Sequence, residues 1–304
     1  MSVQESAVLP GAGGPIFVVG SPAAGSALVR EALDRHERLA IVADTGFLRA
    51  AVNHQWVPFR RSGGWYKRLG WSREEFSTEL RALYSGLFER VLQQQGKQRW
   101  GDATPLHVWY LDTVNRIFPD AVVVGVVRHP AAVVTALVRG GLEPLPAVRQ
   151  WRGATLEMLL SGSSMGGRFL LVRYEDLVEA PEETLRELVA LLGEPWSDRM
   201  IELDGLRGVA VQGGSLDPST RTTLRKRAGR LANLFGYDLG KPGKHAPLPA
   251  AGRRRRVLTC DDLAVRRTEF PAVGRKRPTP PRVDRPLRSK QVRPNFVRGA
   301  SGRP

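Results

Sequence analysis

Cysteine is almost missing from this chain: Cys260 is the single one in 304 residues. One thiol cannot build an intramolecular disulfide framework, which sets aside the small secreted scaffolds stapled by several bridges. Long apolar runs are missing too, and nothing approaches the ~18 consecutive apolar residues of a membrane span. The opening residues MSVQESAVLP carry no basic patch and no extended apolar segment, so no secretory leader is expected. Clusters of Cys, His and acidic residues at metal-ligand spacing are equally missing, and no metal is expected. These absences together predict a soluble, cytoplasmic protein with no membrane partner.

Charge is abundant but unevenly placed. The net charge of +16 invites a nucleic-acid reading until the chain is divided. Residues 241–304 hold 18 Lys/Arg against 4 Asp/Glu, a net of +14, whereas residues 1–240 hold 28 against 26, a net of +2. The C-terminal stretch also contains 10 of the 22 prolines and the run Arg253–Arg256. Such a composition buries too little apolar surface to fold, so 241–304 is expected to be a disordered basic tail. Nucleic-acid contact is expected only through it. Residues 1–14, small and glycine-rich, read as a flexible lead-in, which leaves 15–240 as the folded unit.

That unit opens on PIFVVGSPAAGSALVR, residues 15–30. Ile16–Val19 is a short apolar run suited to a strand buried on both faces. Gly20-Ser21-Pro22 stops it, and a helical pattern resumes at Gly25. Strand, small-residue turn and helix N-terminus together form an anion-binding arrangement, because free backbone N–H groups and the helix dipole favour negative charge there. Gly20 and Gly25-Ser26 have Walker A spacing, but Ser26 stands where that motif carries lysine, which removes the main charge-neutralising group of an ATPase or kinase. A bare strand–turn–helix connection is the alternative for the stretch taken alone.

Further on, Arg38–Ala43 reads as a strand, followed by Asp44-Thr45-Gly46 and a helix from Phe47. Trp56–Trp71 is aromatic, basic and glycine-containing, the make-up of a surface loop over a site. Ser72 and Glu75 form a capping box in front of a long amphipathic helix, Arg73–Gln95. Arg99–Asp102 is a strand and Leu106–Phe118 a helix. Ala121–Val127 is apolar throughout, hence central, and ends at Arg128-His129-Pro130. A helix follows from Ala131, another over Trp151–Leu160, and then the strand Arg168–Val172. Pro181 and Gly193 bracket the helix Pro181–Leu192 at its first turn and just past its end. Alternating strands and helices predict an α/β fold, a three-layer, P-loop-like arrangement of a central parallel sheet with helices on both faces.

Four segments in this order resemble a bacterial sulfotransferase that uses PAPS (3′-phosphoadenosine-5′-phosphosulfate). PIFVVGSPAAGSALVR resembles the family's strand–loop–helix with its PRSGTT loop; WGDATPLH, residues 100–107, is similar to its W-G-(E/D)-K-T-P-x-H. FPDAVVVGVVRHPAAVVTAL, residues 118–137, and RFLLVRYEDLVEAPEETLRELVALLG, residues 168–193, resemble its FPDA…VRDPRDVVxS and RYEDLVxxPxxTLxxLxxFLG stretches. AGRLANLFGYD, residues 228–238, looks like the usual domain end.

The resemblance implies PAPS as donor, PAP as product, no metal, and an acceptor that is a small molecule or glycan-like. It implies that Ser21, Pro22, Ala23, Ala24, Gly25, Ser26 and Ala27 cradle the 5′-phosphosulfate. Arg128 and the Thr135–Ala136 position, at the place of the family's serine, would hold the 3′-phosphate, where a guanidinium grips the anion bidentately. Candidates for the base that takes the acceptor's proton are Asp102, His107 and Asp44, all near strand ends. The chain departs from the pattern at Ala23 and Ala103, which replace cations, and at Ala27 and Ala136, which replace hydroxyls. Lys67, Arg68 and Arg30 are the candidate substitute cations. A relative without catalysis, serving as a nucleotide- or partner-binding module, is the alternative reading. Trp56–Trp71 and Gly140–Gly167 are the expected acceptor walls.

Overall fold

The computed structural model describes residues 13–56, 65–203, 216–239 and 256–263. Its centre is a six-stranded sheet in the order β2-β3-β1-β4-β5-β6. The strands are β1 (Ile16–Gly20), β2 (Leu39–Ala43), β3 (Arg99–Ala103), β4 (Val122–Val127), β5 (Phe169–Arg173) and β6 (Val257–Leu258). The first five pair in parallel; β6 alone runs antiparallel, against β5.

Alternation along the strands sorts two cores. Phe17 and Val19 of β1, Val123 and Val127 of β4 and Phe169 and Leu171 of β5 join one apolar cluster, while Ile16, Val18, Val124, Leu170 and Val172 join the other. Successive side chains of a strand point to opposite faces, so a sheet apolar on both is one covered on both. The first cluster is closed by α3 (Arg73–Gln95), α4 (Leu111–Ile117), α5 (Pro130–Arg139), α6 (Pro144–Gly162) and α9 (Pro218–Leu234), with α2 (Phe47–Trp56) at its margin. The second is closed by α1 (Ser26–Asp34) and α8 (Pro181–Leu192). A short helix, α7 (Tyr174–Glu179), joins β5 to α8. The expected α/β layering is what the chain adopts, and no helix among the described residues is long and apolar enough to cross a membrane.

Local signals hold where they had a mechanism. Ser72 accepts from the Glu75 amide and Glu75 reaches back to the Ser72 amide, so α3 starts on a complete capping box. Pro181 opens α8, and Gly193 at φ +75 closes it in the left-handed region. Three expectations are corrected. The stretch read as one helix over Leu106–Phe118 is a 3-10 turn, Pro105–Tyr110, followed by α4. The helix expected from Trp151 begins seven residues earlier, at Pro144. Residues 256–263, within the stretch expected to be disordered, join the sheet as β6 and bury Cys260 and Leu263 against it. Apolar Val257 and Leu258 give that short piece a place in the core despite the four arginines before them. The rest of 241–304, residues 1–12 and the segment 57–64 of the expected surface loop lie outside the described residues.

Candidate functional site

The register of the parallel strands brings five loops to one edge. Gly20 pairs with Val126, Ala43 with Ala103 and Val127 with Arg173. The residues that follow, Ser21, Asp44, Thr104, Arg128 and Tyr174, therefore leave the sheet side by side at its carboxyl ends, with β1 at the point where strand order reverses. Open α/β sheets bind ligands there. A cleft of about 560 Å³ occupies this edge, lined by Pro22, Ala23, Gly25–Leu28, Asp44, Thr104–Leu106, Arg128 and Tyr174.

Its floor is the turn after β1. The Ala24 amide donates to the Ser21 carbonyl, Ala23 sits at φ +66 and Gly25 at φ +95. No side chain caps α1 and no acid lies in its first turn, so its opening amides meet the cleft without competition from the chain's own side chains. Across the turn, the Arg128 guanidinium lies 4.1 Å from the centre of the Tyr174 ring, and its Nη1 donates weakly to the Ala23 carbonyl at 3.4 Å. Its Nε is buried without a hydrogen-bond partner. The half-buried guanidinium, with only the weak Nη1 bond, is a charged donor at the cleft edge suited to an anionic acceptor.

Arg128 is held from behind. The Trp151 indole donates to its carbonyl at 3.0 Å, and Glu175 accepts both the His129 amide and the Tyr237 hydroxyl at 2.8 Å. Burial pushes the Tyr237 phenol well above its usual pKa, which keeps it a donor. His129 turns its Nδ1 onto the Ala131 amide and caps α5. Arg173 grips Asp176 through two bonds of 2.6 and 2.7 Å and reaches the Phe235 carbonyl, tying the end of β5 to the end of α9.

Asp44 stands on the opposite wall at φ +47. Burial, and then the Asp102 carboxylate, raise its carboxyl above the ordinary range, against smaller opposing effects of His107 and Arg30. Asp102 and His107 do not line the cleft. They are 0% and 1% exposed and face each other, with His107 Nδ1 2.8 Å from Asp102 Oδ1. His107 Nε2 accepts the Leu48 amide, and Asp102 accepts from the Thr45 hydroxyl and the Thr104 amide.

Among the donor-loop positions, Pro22, Ala23, Gly25, Ser26 and Ala27 line the cleft with Arg128, whereas Ser21 and Ala24 turn inward and are 1% exposed. Thr135 is buried with its hydroxyl unpartnered, Ala136 is exposed, and neither lines the cleft. Arg30 pairs with Glu31 and Asp34, and Lys67 and Arg68 sit on the 3-10 turn Trp65–Leu69, so none of the three borders the cleft. Gly140–Gly167 is mostly α6 and lines none of it. Sequence reasoning missed Tyr174, Thr104, Pro105, Leu106 and Leu28 as lining residues. Tyr174 stood in plain view beside Arg173, but nothing in its spacing says that β4 and β5 are neighbours.

Fold and cleft define an open, mostly parallel α/β architecture of the P-loop-like kind, with a cleft at its strand ends. A sequence profile of the sulfotransferase family matches residues 15–198, and the chain belongs to that family. It is 27% identical over 223 residues to protein-tyrosine sulfotransferase 1 of Danio rerio, covering 68% of this chain and 61% of that one. It is 23% identical over 223 residues to protein-tyrosine sulfotransferase A of Caenorhabditis elegans, covering 69% and 58%. The chain thus spans about three fifths of the length of these two relatives. Among solved structures, the sulfotransferase domain from the curacin biosynthetic pathway shares the fold, with a TM-score of 0.51 at 19% identity over 74% of this chain and 98% of that one.

Proposed function

We propose that this sulfotransferase-family protein moves a sulfuryl group from PAPS to a hydroxyl or amine of an acceptor, acting in the cytoplasm and without a metal. In this reading Arg128 binds the 3′-phosphate, the turn Pro22–Ala27 and the N-terminus of α1 receive the 5′-phosphosulfate, and Asp44 takes the acceptor's proton. The acceptor oxygen or nitrogen attacks sulfur, the bond from sulfur to the bridging oxygen breaks, and PAP leaves with that electron pair. The observation that carries the reading is the weakly bonded Arg128 guanidinium in the same cleft as the uncapped α1 N-terminus. Two anion sites in one cleft suit a donor with two anionic ends.

A raised carboxyl suits Asp44 to general-base work, since a base tuned toward the working pH transfers protons best. A small-molecule or glycan-like acceptor is the primary class. The protein-tyrosine sulfotransferase relatives add a phenolic hydroxyl to the screen.

Calorimetric titration with PAP, with ADP as the control lacking the 3′-phosphate, tests the donor site. Micromolar PAP binding with none for ADP is expected, and equal or absent binding of the two overturns the assignment. The second reading, a nucleotide- or partner-binding module, draws on Ala23 and Ala103, alanines where the family pattern carries cations, which leave Arg128 as the one cation lining the cleft among the described residues. It is favoured if PAP binds and labelled PAPS transfers nothing to a panel of phenols, alcohols and amines.

A further inference from the structure

We infer that Asp102, Thr104 and His107 form a clamp that holds the Asp44 turn at the cleft, making them positioning residues for the proton acceptor rather than acceptors themselves. The inference builds on reading Asp44 as that acceptor.

Four of the five residues after β2 are held by one short segment, the end of β3 and the turn that follows it, three of them through its side chains. The Asp44 amide donates to the Ala103 carbonyl at 3.3 Å, which continues the strand pairing by one residue. The Thr45 hydroxyl donates to Asp102 Oδ2 at 2.5 Å, the Gly46 amide to Thr104 Oγ1 at 3.2 Å and the Leu48 amide to His107 Nε2 at 3.4 Å. The clamp is braced internally, since Asp102 Oδ1 accepts the Thr104 amide at 3.1 Å and lies 2.8 Å from His107 Nδ1. Both Asp102 carboxylate oxygens and the imidazole Nε2 accept hydrogen bonds from protein groups, while His107 Nδ1 makes only its close approach to Asp102 Oδ1.

Burial decides between the roles. A general base must reach the proton that it removes, within hydrogen-bond distance or through one water. Asp102 and His107 are 0% and 1% exposed and border no part of the cleft, whereas Asp44 lines it. A non-glycine residue at φ +47 persists where its surroundings over-determine it, and the three contacts at Thr45, Gly46 and Leu48 do that. The charged groups facing Asp44 are Asp102 from β3, His107 from the turn after it and Arg30 from α1, with Arg128 on the same cleft. The clamp thus sets both where the Asp44 carboxyl sits and how tightly it holds a proton.

The test uses the full chain and needs no known acceptor. Amide exchange of Gly46 and Leu48, and the carbon-13 titration of the Asp44 carboxyl, are followed by NMR in the parent, His107→Phe, His107→Gln and Thr104→Val. His107→Phe is expected to speed Leu48 exchange at least tenfold while amides of β1 and β4 keep their protection. Thr104→Val is expected to do the same to Gly46 and to move the Asp44 midpoint down toward the ordinary carboxylate value as the turn opens, whereas in His107→Phe the loss of the imidazole's own lowering effect opposes that shift. His107→Gln, whose side-chain oxygen can accept the Leu48 amide, is expected to restore protection. If His107→Phe does not fold, Thr104→Val carries the decision alone.

Protected amides in the variants, or a released Gly46 amide with an unmoved Asp44 midpoint in Thr104→Val, overturn the clamp. The base reading fails separately: Asp44→Asn that still transfers sulfuryl groups at the parental rate overturns it and leaves the exchange results standing.

Discussion

A Cβ added to Gly25 would lie 2.2 Å from Cδ2 of Tyr174. The turn after β1 and the first residue after β5 thus interlock, with the glycine providing the gap into which the ring fits. Gly25→Ala must displace the ring on which Arg128 lies, and it must also hold alanine at φ +95. Overpacking of this kind costs about 1–3 kcal/mol. Chemical denaturation is expected to show a loss in that range, and PAP affinity is expected to drop at least tenfold. Parental stability with parental affinity would contradict the interlock.

Arg128→Ala removes the one cation that lines the cleft among the described residues. Hydrogen bonds to charged groups contribute about 1.5–3 kcal/mol, so PAP binding is expected to weaken by about 10- to 150-fold. Arg128→Lys is expected to recover little, because a lysine ammonium offers neither the planar fork nor the same stacking on Tyr174. Titration of both variants with PAP checks this, and a lysine variant as tight as the parent argues against bidentate phosphate binding.

Asp44→Asn is expected to stabilise the fold while abolishing transfer. With its folded-state pKa raised, the folded chain binds that proton more tightly than the unfolded chain does. The group's contribution to stability therefore falls as pH rises from the unfolded to the folded value, and stays lowered at neutral pH. Asparagine removes the buried charge and tolerates the left-handed backbone. Thermal unfolding at pH 7 is expected to show a higher Tm for the variant, the gap closing below the unfolded carboxylate value of about 3.9. Loss of a general base typically lowers the rate by roughly 10²–10⁴. A lower Tm at pH 7 would run against the raised carboxyl.

Two alanines that stand for cations of the family pattern are predicted to respond differently. Ala23 is exposed at the cleft, so Ala23→Arg places its guanidinium there without burial and is expected to tighten PAPS binding. Ala103 is 5% exposed and packs in the cluster with Ile41 and Val126. Ala103→Lys forces a long cationic side chain through that packing and is expected to cost about 1–3 kcal/mol. Denaturation midpoints and PAPS affinities of the two variants separate these outcomes.

Much of the frame was legible because its signals are local. The apolar runs at Ile16–Val19 and Ala121–Val127, the capping box at Ser72 and Glu75, and Pro181 with Gly193 each have a mechanism confined to a few residues. The site was half legible. The turn Pro22–Ala27, Asp44 and Arg128 all sit at strand ends, and a strand followed by a turn can be read without knowing its neighbours. Tyr174 could not be found that way, since it enters the cleft only through the pairing of Val127 with Arg173. Asp102 and His107 have the chemistry of a base, but residue type does not report burial, and their partners Thr45 and Leu48 come from across the β2–β3 pair. Val257 and Leu258 escaped notice because two residues carry no periodicity and four arginines stand directly before them.

The small strand β6 makes the far border of the sheet a matter of solubility. Without it, the outer side of β5 would present unpaired backbone groups beside Leu171 and Val172, a template for joining one sheet to another. Its approach is anchored by the Arg256 amide on Glu187 and the Arg256 guanidinium on Glu183. A chain cut at Gly240, where the basic composition starts, is therefore expected to self-associate, whereas one cut just after Leu263 stays monodisperse by light scattering. The boundary of the folding unit lies inside the arginine-rich stretch, and a truncation meant to remove only charge at Gly240 would uncover an adhesive edge.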